Sequence, residues 1–386
     1  MEPLRFGIIG GGSIAKAHVI ALRALGSYFG VDGPAPEVAV IADVVPEAAV
    51  KAAAEYGVAR WTADPSTVLA DDSIDAVTIA VPNDQHESMA IAAADAGKHL
   101  LCEKPLAHSV ASARRMVDAV IRAGVVHSVD LNYRSIPAVR YARRLISEGA
   151  LGEIVGFRGA FLQDWGLDPS IPRSWKFEKA RAGAGPMLSL GCHVIDLAHF
   201  LIGDITEVVG ATTTKIEQRP LPRGRDTYAM VDADDVEMGP VDIEDAGSFL
   251  MRFDNGAMGS IDLSRISAGR KNHCFVEISG TRGAIVFDYE NLNEIQLSTT
   301  DSPGNGFTRV IIGPEQDGGL VWTLGGLGVG FAETVVVHMR DFVKAIRVGE
   351  STAPNFVDGL RAQEVADSVF SSVASGSWTK VNRYTT

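Results

Sequence analysis

The 386-residue chain is predicted to be an α/β protein with two domains. Residues 1–132 read as a doubly wound parallel sheet, and 133–386 as an α+β domain built on a large, open, mostly antiparallel sheet. Three observations predict this. The apolar run Phe6 to Ile9 leads straight into Gly10-x-Gly12-x-x-Ala15 and then into a helical pattern. Apolar runs of strand length alternate with helix-length segments to about residue 130. After Tyr133 the texture shifts to strand-like segments punctuated by hairpin signals.

In the first domain, strands are expected at Arg5–Ile9, Glu37–Ala42, Ala76–Ala80, His99–Cys102 and Val125–Val129. Helices are expected at Ala15–Leu25, Pro46–Tyr56, Gln85–Ala96 and Ser109–Ala123. Ile14, His18, Ala21, Leu22 and Leu25 set the helical spacing of the first helix. A loop over Ser27–Pro36, carrying two glycines and two prolines, separates it from the second strand. Pro46 suits a first helical turn, and Gly57, Gly97 and Gly124 read as helix stops. The strand–glycine turn–helix order is what a dinucleotide pyrophosphate requires. Gly10 permits the tight turn, and Gly12 lets backbone N–H groups approach the phosphates. Ser13 and Ile14 open a helix whose N-terminus carries partial positive charge, while Ala15 lets it pack close to the sheet. The unit is therefore read as a Rossmann domain, with ligand at the C-terminal strand ends.

The second domain opens with a helix at Pro137–Glu148. Strands are then expected at Ile154–Leu162, Ile205–Thr214, Gly247–Phe253, Ala257–Ser264, Cys274–Ser279 and Ala284–Asp288. Asp254-Asn255-Gly256 and Gly280-Thr281-Arg282-Gly283 mark hairpins. Arg219–Pro240 and Thr300–Gly330 read as surface loops or oligomer arms, with lids as the alternative. Phe331–Val348 and Asp358–Ala374 read as closing helices. No internal repeat is evident.

A net charge of −13 argues against nucleic acid, which needs a basic face, and against an anionic membrane surface. The longest apolar runs, such as Val335-Val336-Val337, are far shorter than a bilayer span. The first strand begins so early that no room is left for a signal peptide. Cys102, Cys192 and Cys274 are odd in number and widely spaced, which suits neither a disulfide framework nor a zinc ribbon. A reduced cytoplasmic setting and no metal are expected.

Several residues carry chemistry. Asp43, after the second strand, suits the adenosine ribose hydroxyls and repels a 2′-phosphate, which favours NAD over NADP; capping the next helix is its compatible bland role. Pro82-Asn83 ends a strand where a nicotinamide ribose would lie, with Asn83 as a hydrogen-bonding partner. His86 is either a further cofactor contact or an ordinary first-turn residue. Glu103-Lys104-Pro105 stands at a strand tip where this fold places ligands. Lys104 there can donate to a substrate hydroxyl and stabilise a developing alkoxide, Glu103 can contact the nicotinamide ribose, and the X-Pro bond can be cis. The bland reading is a capped strand end. Gly191-Cys192-His193-Val194-Ile195-Asp196 opens a helix whose stripe is Val194, Leu197, Ala198 and Leu201. His193 suits proton removal near neutrality, while His199 reads as structural.

The glycine motif, Glu103-Lys104-Pro105 and Gly191-x-His193-x-x-Asp196, in this order and spacing, resemble the glucose–fructose oxidoreductase, inositol dehydrogenase and rhizopine catabolism (Gfo/Idh/MocA) family. Phe161-Leu162-Gln163-Asp164-Trp165, Ser174-Trp175-Lys176-Phe177 and the Ala182–Gly185 stretch are similar to the family's levoglucosan and pyranoside 3-dehydrogenases, relatives of its inositol dehydrogenases. The resemblance implies oxidation of a ring hydroxyl of a sugar, anhydrosugar, glycoside or cyclitol, with hydride passed to NAD. It implies Lys104 and His193 as the catalytic lysine and histidine, and a homo-oligomer, dimer or tetramer, formed through the C-terminal sheet. Asn132-Tyr133-Arg134 matches the family's domain-junction segment, so Asn132 and Arg134 are expected to border the sugar. Trp165, Arg173 and Trp175 are candidates for sugar stacking and hydroxyl contacts, with core packing as their alternative. The family commonly has aspartate four residues before the histidine. Here Ser189 stands there, a weaker, uncharged partner. Two rival readings remain: an NAD-retaining enzyme that cleaves glycosides by oxidation and elimination, and a non-catalytic sugar or NAD sensor.

Overall fold

Strand-length apolar runs joined by helices form one six-stranded parallel sheet, because a helix between two strands returns the chain to the same edge. In a computed structural model, which describes all residues but 1, 30–32, 223–236, 301, 303, 305, 318–321, 323 and 385–386, the chain splits into two units. The first comprises 1–107, 111–136 and 318–360, and the second 108–110, 137–317 and 361–386.

The first unit runs β1 (Arg5–Ile9), α1 (Ser13–Phe29), β2 (Glu37–Ala42), α2 (Pro46–Tyr56), β3 (Trp61–Thr62), α3 (Pro65–Leu69), β4 (Ala76–Ile79), α4 (Asn83–Asp95), β5 (His99–Cys102), α5 (Val110–Ala123) and β6 (His127–Val129). The strand order is β3-β2-β1-β4-β5-β6, so the order reverses at β1/β4, where such sheets take their ligands. Helix α1 runs through Phe29, further than the sequence pattern suggests, and takes up the first part of the expected loop. The short β3 and α3 lack a periodic signal and were not foreseen.

Phe6 and Ile8 on β1, Val19, Leu22 and Leu25 on α1, and Met339, Phe342 and Val343 on the late helix Phe331–Val348 form one buried cluster. Phe6 and Phe342 meet edge to face at 6.2 Å. Burying a side chain of this size contributes roughly 1.5–3 kcal/mol. The late helix lies beyond residue 133 in sequence, yet it completes the first unit.

The second unit contains α6 (Pro137–Ser147), β7 (Ile154–Leu162), α7 (Lys179–Ala182), α8 (Pro186–Ser189), α9 (Gly191–Leu201), β8 (Ile205–Thr213), β9 (Gln218–Pro220), β10 (Met238–Pro240), β11 (Ala246–Phe253), β12 (Met258–Ser264), β13 (His273–Gly280), β14 (Gly283–Asp288), β15 (Glu294–Thr299), β16 (Thr308–Ile311) and β17 (Thr379–Lys380). Nine strands form one sheet, β16-β15-β14-β13-β7-β12-β11-β8-β17, antiparallel except for β7 beside β12. Along β11, Phe249, Met251 and Phe253 are buried while Leu250 and Arg252 are exposed, the alternation of a sheet with one covered face. Helix α9 packs on β7 at Gly159, where an added Cβ would come within 2.5 Å of Val194.

The interval Arg219–Pro240 is not wholly irregular: its ends pair as β9 and β10, and 223–236 lie outside the described residues. Likewise β16, inside the interval Thr300–Gly330, extends the main sheet through β15. Among the described residues no single helix is long and apolar enough to cross a membrane.

Candidate active site

The turn after β1 is shaped for close backbone approach. Gly10 has φ of +108°, and a Cβ there would lie 2.2 Å from the Ala80 carbonyl oxygen, at the end of β4. No larger residue fits without parting the two central strands. At Gly12 a Cβ would meet nothing within 4 Å. Gly12 and Ser13 are exposed, Ile14 is half-buried, and Ala15 is fully buried against the sheet. Open space thus faces the N-terminus of the 17-residue α1, a cradle that fits a pyrophosphate. The Tyr56 hydroxyl braces it by donating to the Gly11 and Gly12 carbonyls at 3.3 and 3.1 Å. Asp43 is tied to the same turn: Oδ2 accepts from Gly11 N–H at 3.0 Å and Oδ1 from Val45 N–H at 2.9 Å. Those bonds leave lone pairs on a half-buried carboxylate, as a ribose diol requires.

Pro82 precedes α4, and Asn83 is buried as its first residue. His86 is fully buried. Its Nε2 faces the Val81 carbonyl at 2.9 Å, and its Nδ1 faces those of Pro105 and Leu106 at 3.0 and 3.2 Å. Burial pulls its pKa down against these carbonyls. The ring lies between the end of β4 and the turn after β5.

That turn carries Glu103-Lys104-Pro105, with the Lys104–Pro105 bond cis. Lys104 is half-buried. Glu103 is buried. Its Oε2 accepts from the Lys104 N–H at 3.1 Å, and its Oε1 lies 3.1 Å from His18 Nε2. His18 also faces Asp130 Oδ2 at 3.4 Å. Burial lowers its basicity, but the hydrogen bonds and charges of Asp130 and Glu103 outweigh burial and raise its pKa to about 9. Glu103 is pushed up, by burial and then by Asp130. Burial also opposes ionisation of Asp130, but its histidine neighbours hold its pKa well below the usual carboxylate range. Sequence reasoning placed His18 on an apolar stripe. The chemistry opposite that stripe had no local signal.

Asn132 and Arg134 are buried and engaged within the same unit. The Asn132 amide donates to Thr334 Oγ1 at 3.4 Å, and Arg134 pairs with Asp358 at 3.0 Å.

In the second unit, His193 is buried in the first turn of α9, its ring 6.0 Å from that of Phe161. Asp196 is buried one turn on, and Ser189 is half-buried at the end of α8. The preceding glycines serve close packing: a Cβ at Gly183 would lie 2.1 Å from the His108 carbonyl oxygen, and one at Gly185 2.0 Å from that of Glu244. Trp165 and Trp175 are half-buried around Phe177. The Trp165 Nε1–H donates to Gln163 at 2.9 Å, and Lys176 Nζ lies 5.8 and 6.0 Å from the two indole rings. Arg219 and Arg265 stack on Phe177 at 4.2 and 4.4 Å. Arg265 is compensated by the buried Asp245 at 2.8 Å. Burial and then the Arg265 charge lower the pKa of Arg219 to about 10. Arg173 pairs with Glu178 at 3.2 Å and donates to the Pro240 carbonyl. Neither buried arginine was singled out in sequence, since isolated arginines read as surface.

Comparison with known proteins fits these features. The model of the oxidoreductase family with an NAD-binding Rossmann fold matches residues 4–131, and that of the GFO/IDH/MocA C-terminal domain matches 139–286. The levoglucosan dehydrogenase of Pseudarthrobacter phenanthrenivorans is 41% identical over 99% of both chains. The scyllo-inositol 2-dehydrogenase (NAD(+)) of Bacillus subtilis is 27% identical over 94% of both. A solved levoglucosan dehydrogenase in complex with NADH and levoglucosan superposes with a TM-score of 0.92 at 40% identity, covering 99% of this chain and all of that one. The chain belongs to the Gfo/Idh/MocA family of NAD-binding sugar and cyclitol oxidoreductases, and its cofactor is NAD.

Proposed function

We propose that the protein oxidises a secondary ring hydroxyl of an anhydrosugar, with levoglucosan first among candidates and pyranoses, glycosides and cyclitols after it. The observation that carries this reading is the full-length likeness to levoglucosan dehydrogenase, which extends through both units. Lys104 supports it from the sequence side, standing just past the C-terminal end of β5, where a doubly wound sheet takes its ligands. NAD, when bound, supplies the acceptor for the hydride.

The chain's own groups then have defined tasks. The Lys104 ammonium donates to the substrate hydroxyl oxygen and stabilises the charge that develops as the C–H bond breaks. The neutral His193 imidazole accepts the hydroxyl proton, which balances departure of the hydride and leaves a ketone. Ser189 can orient a hydroxyl but, being uncharged, cannot hold a lysine as a carboxylate would. Trp165 and Trp175 suit the C–H face of a pyranose ring. Asp43 favours NAD over NADP. A cytoplasmic homo-oligomer joined through the uncovered sheet face, with Leu250 and Met258 exposed on it, completes the proposal.

The test is NADH formation with levoglucosan, glucose, methyl glucosides and scyllo- and myo-inositol. We expect stoichiometric NADH, with levoglucosan turned over best. Lys104→Ala should reduce kcat by about 10²- to 10⁴-fold, the range for a positioned acid–base group, while NADH still binds. Product without net NADH would instead indicate a retained cofactor. NADH binding with no turnover on any compound would refute the enzyme reading.

A further inference from the structure

The first unit buries a charged cluster that the proposed chemistry does not use. His18 lies in the second turn of α1 and is wholly inaccessible. Its Nε2 faces two carboxylate oxygens, Glu103 Oε1 at 3.1 Å and Asp130 Oδ2 at 3.4 Å. Behind Asp130 stands His338, with Nε2 3.8 Å from Asp130 Oδ1 and 3.3 Å from Ser128 Oγ. The buried Cys102 precedes Glu103, and Lys104 adds its charge on the other side. The three nearest groups are close enough to hold a cation. However, the imidazole already sits at hydrogen-bond distance from one oxygen of each acid, so a proton on Nε2 bridges the two.

Glu103 is the link. One oxygen meets the helix that carries the phosphate cradle, and the other accepts the backbone N–H of Lys104. We propose that His18 is a positioning residue: by holding the Glu103 carboxylate it fixes the backbone of Lys104 at the tip of β5. Without an imidazole between them, Glu103 and Asp130 would be two buried acids lacking the group that bridges them, and Glu103 would take up a proton or turn away. Either change weakens the bond to the Lys104 N–H. The functional consequence rests on the proposed role of Lys104, whereas the positioning itself does not.

The test is amide hydrogen exchange, by mass spectrometry, of the segment around Lys104 in the full-length chain, together with NADH affinity and kcat on levoglucosan. His18→Leu removes the donor, and His18→Gln keeps an N–H near the position of Nε2. In His18→Leu we expect the Lys104 amide to exchange about 10- to 100-fold faster, the effect of losing a hydrogen bond to a charged group. We expect kcat to fall by a similar factor, NADH affinity to change little, and Gln to restore exchange and kcat largely. If Leu does not fold, His18→Asn, too short to reach Glu103, takes its place. Unchanged Lys104 exchange in these variants, or equal loss with Leu and Gln, overturns the proposal. Faster exchange with unchanged kcat supports the positioning and refutes the role of Lys104 in turnover.

Discussion

Gly10 and Gly12 are two residues apart in one motif, yet the structure assigns them different costs on substitution. Gly10→Ala places a Cβ 2.2 Å from the Ala80 carbonyl oxygen on a backbone with φ of +108°. The positive φ alone costs roughly 1–2 kcal/mol. Relieving the contact requires β1 and β4 to separate, although the Ala80 N–H is bonded to the Ile9 carbonyl at 2.8 Å. A total on the order of 3–5 kcal/mol follows, in the range of severe core substitutions. Gly12→Ala meets no neighbour and needs no unusual φ. Its stability should stay within about 1 kcal/mol of the parent, as the entropic gain over glycine offsets a poorer N-cap.

Ligand affinity should show the reverse order. A methyl group at Gly12 holds phosphate oxygens away from the N–H groups of α1, and each lost bond to a charged oxygen is worth roughly 1.5–3 kcal/mol. NADH binding should weaken by about 10- to 100-fold per bond. Thermal melting and NADH fluorescence titration measure the two effects. Gly10→Ala should melt lower by at least about 6 °C or fail to accumulate, whereas Gly12→Ala should melt normally and bind poorly. A Gly12→Ala protein with parental NADH affinity would show that the pyrophosphate does not rest on this turn.

Two further predictions concern charge. Asp43→Asn keeps the shape and an acceptor but removes the charge that would face a 2′-phosphate, worth about 1–2 kcal/mol at water-like screening. The NADP/NAD ratio of kcat/KM should rise about tenfold, and an unaltered ratio would assign the preference elsewhere. Stability should also be greatest near pH 6.5. On the acid side, burial lowers the pKa of His127 to about 4, so the unfolded chain takes up a proton that the folded chain refuses, and stability rises from pH 4 to 6.5. On the alkaline side, folded His18 keeps its proton to about 9 while the unfolded one releases it near 6.5, so its contribution, at most about 3 kcal/mol, is lost as pH rises through 9. Melting temperature against pH checks both limbs. His18→Gln should flatten only the alkaline one, and a limb that persists in that variant would exclude His18 as its source.

Most of the parallel sheet was legible, because β1, β2, β4 and β5 are short runs rich in aliphatic residues beside glycine or proline signals. The glycine turn, the Lys104 tip and the start of α9 were legible for a related reason: turn chemistry is local. The allocation of the helix Phe331–Val348 was not. Its apolar face shows that it packs on something, but the partner, α1, is some 300 residues away and leaves no mark in the pattern. Strand β16 was hidden by its glycine-rich surroundings. His86 and Glu103 stand out in the sequence, but the protein groups their side chains meet do not. Spacing places a residue on a turn or a helix without saying whether its side chain faces the ligand or braces the turn from behind.

His18 shows where such reading fails for a physical reason. A periodic stripe reports which side of a helix faces inward, and an imidazole on it fits the stripe as well as a leucine would. What makes it charged is the pair of acids opposite, supplied by the residue just after β5 and the residue just after β6. Both acids lie at C-terminal strand ends, where parallel strands finish side by side and their following residues meet over the sheet edge. A buried carboxylate is costly without a partner, so two of them at neighbouring strand tips require a donor from the helix that crosses them, and α1 supplies it at position 18. The same topology that creates the dinucleotide site therefore brings Glu103 and Asp130 together beneath it. The charge is a consequence of sheet order, and it is absent from any one stretch of sequence.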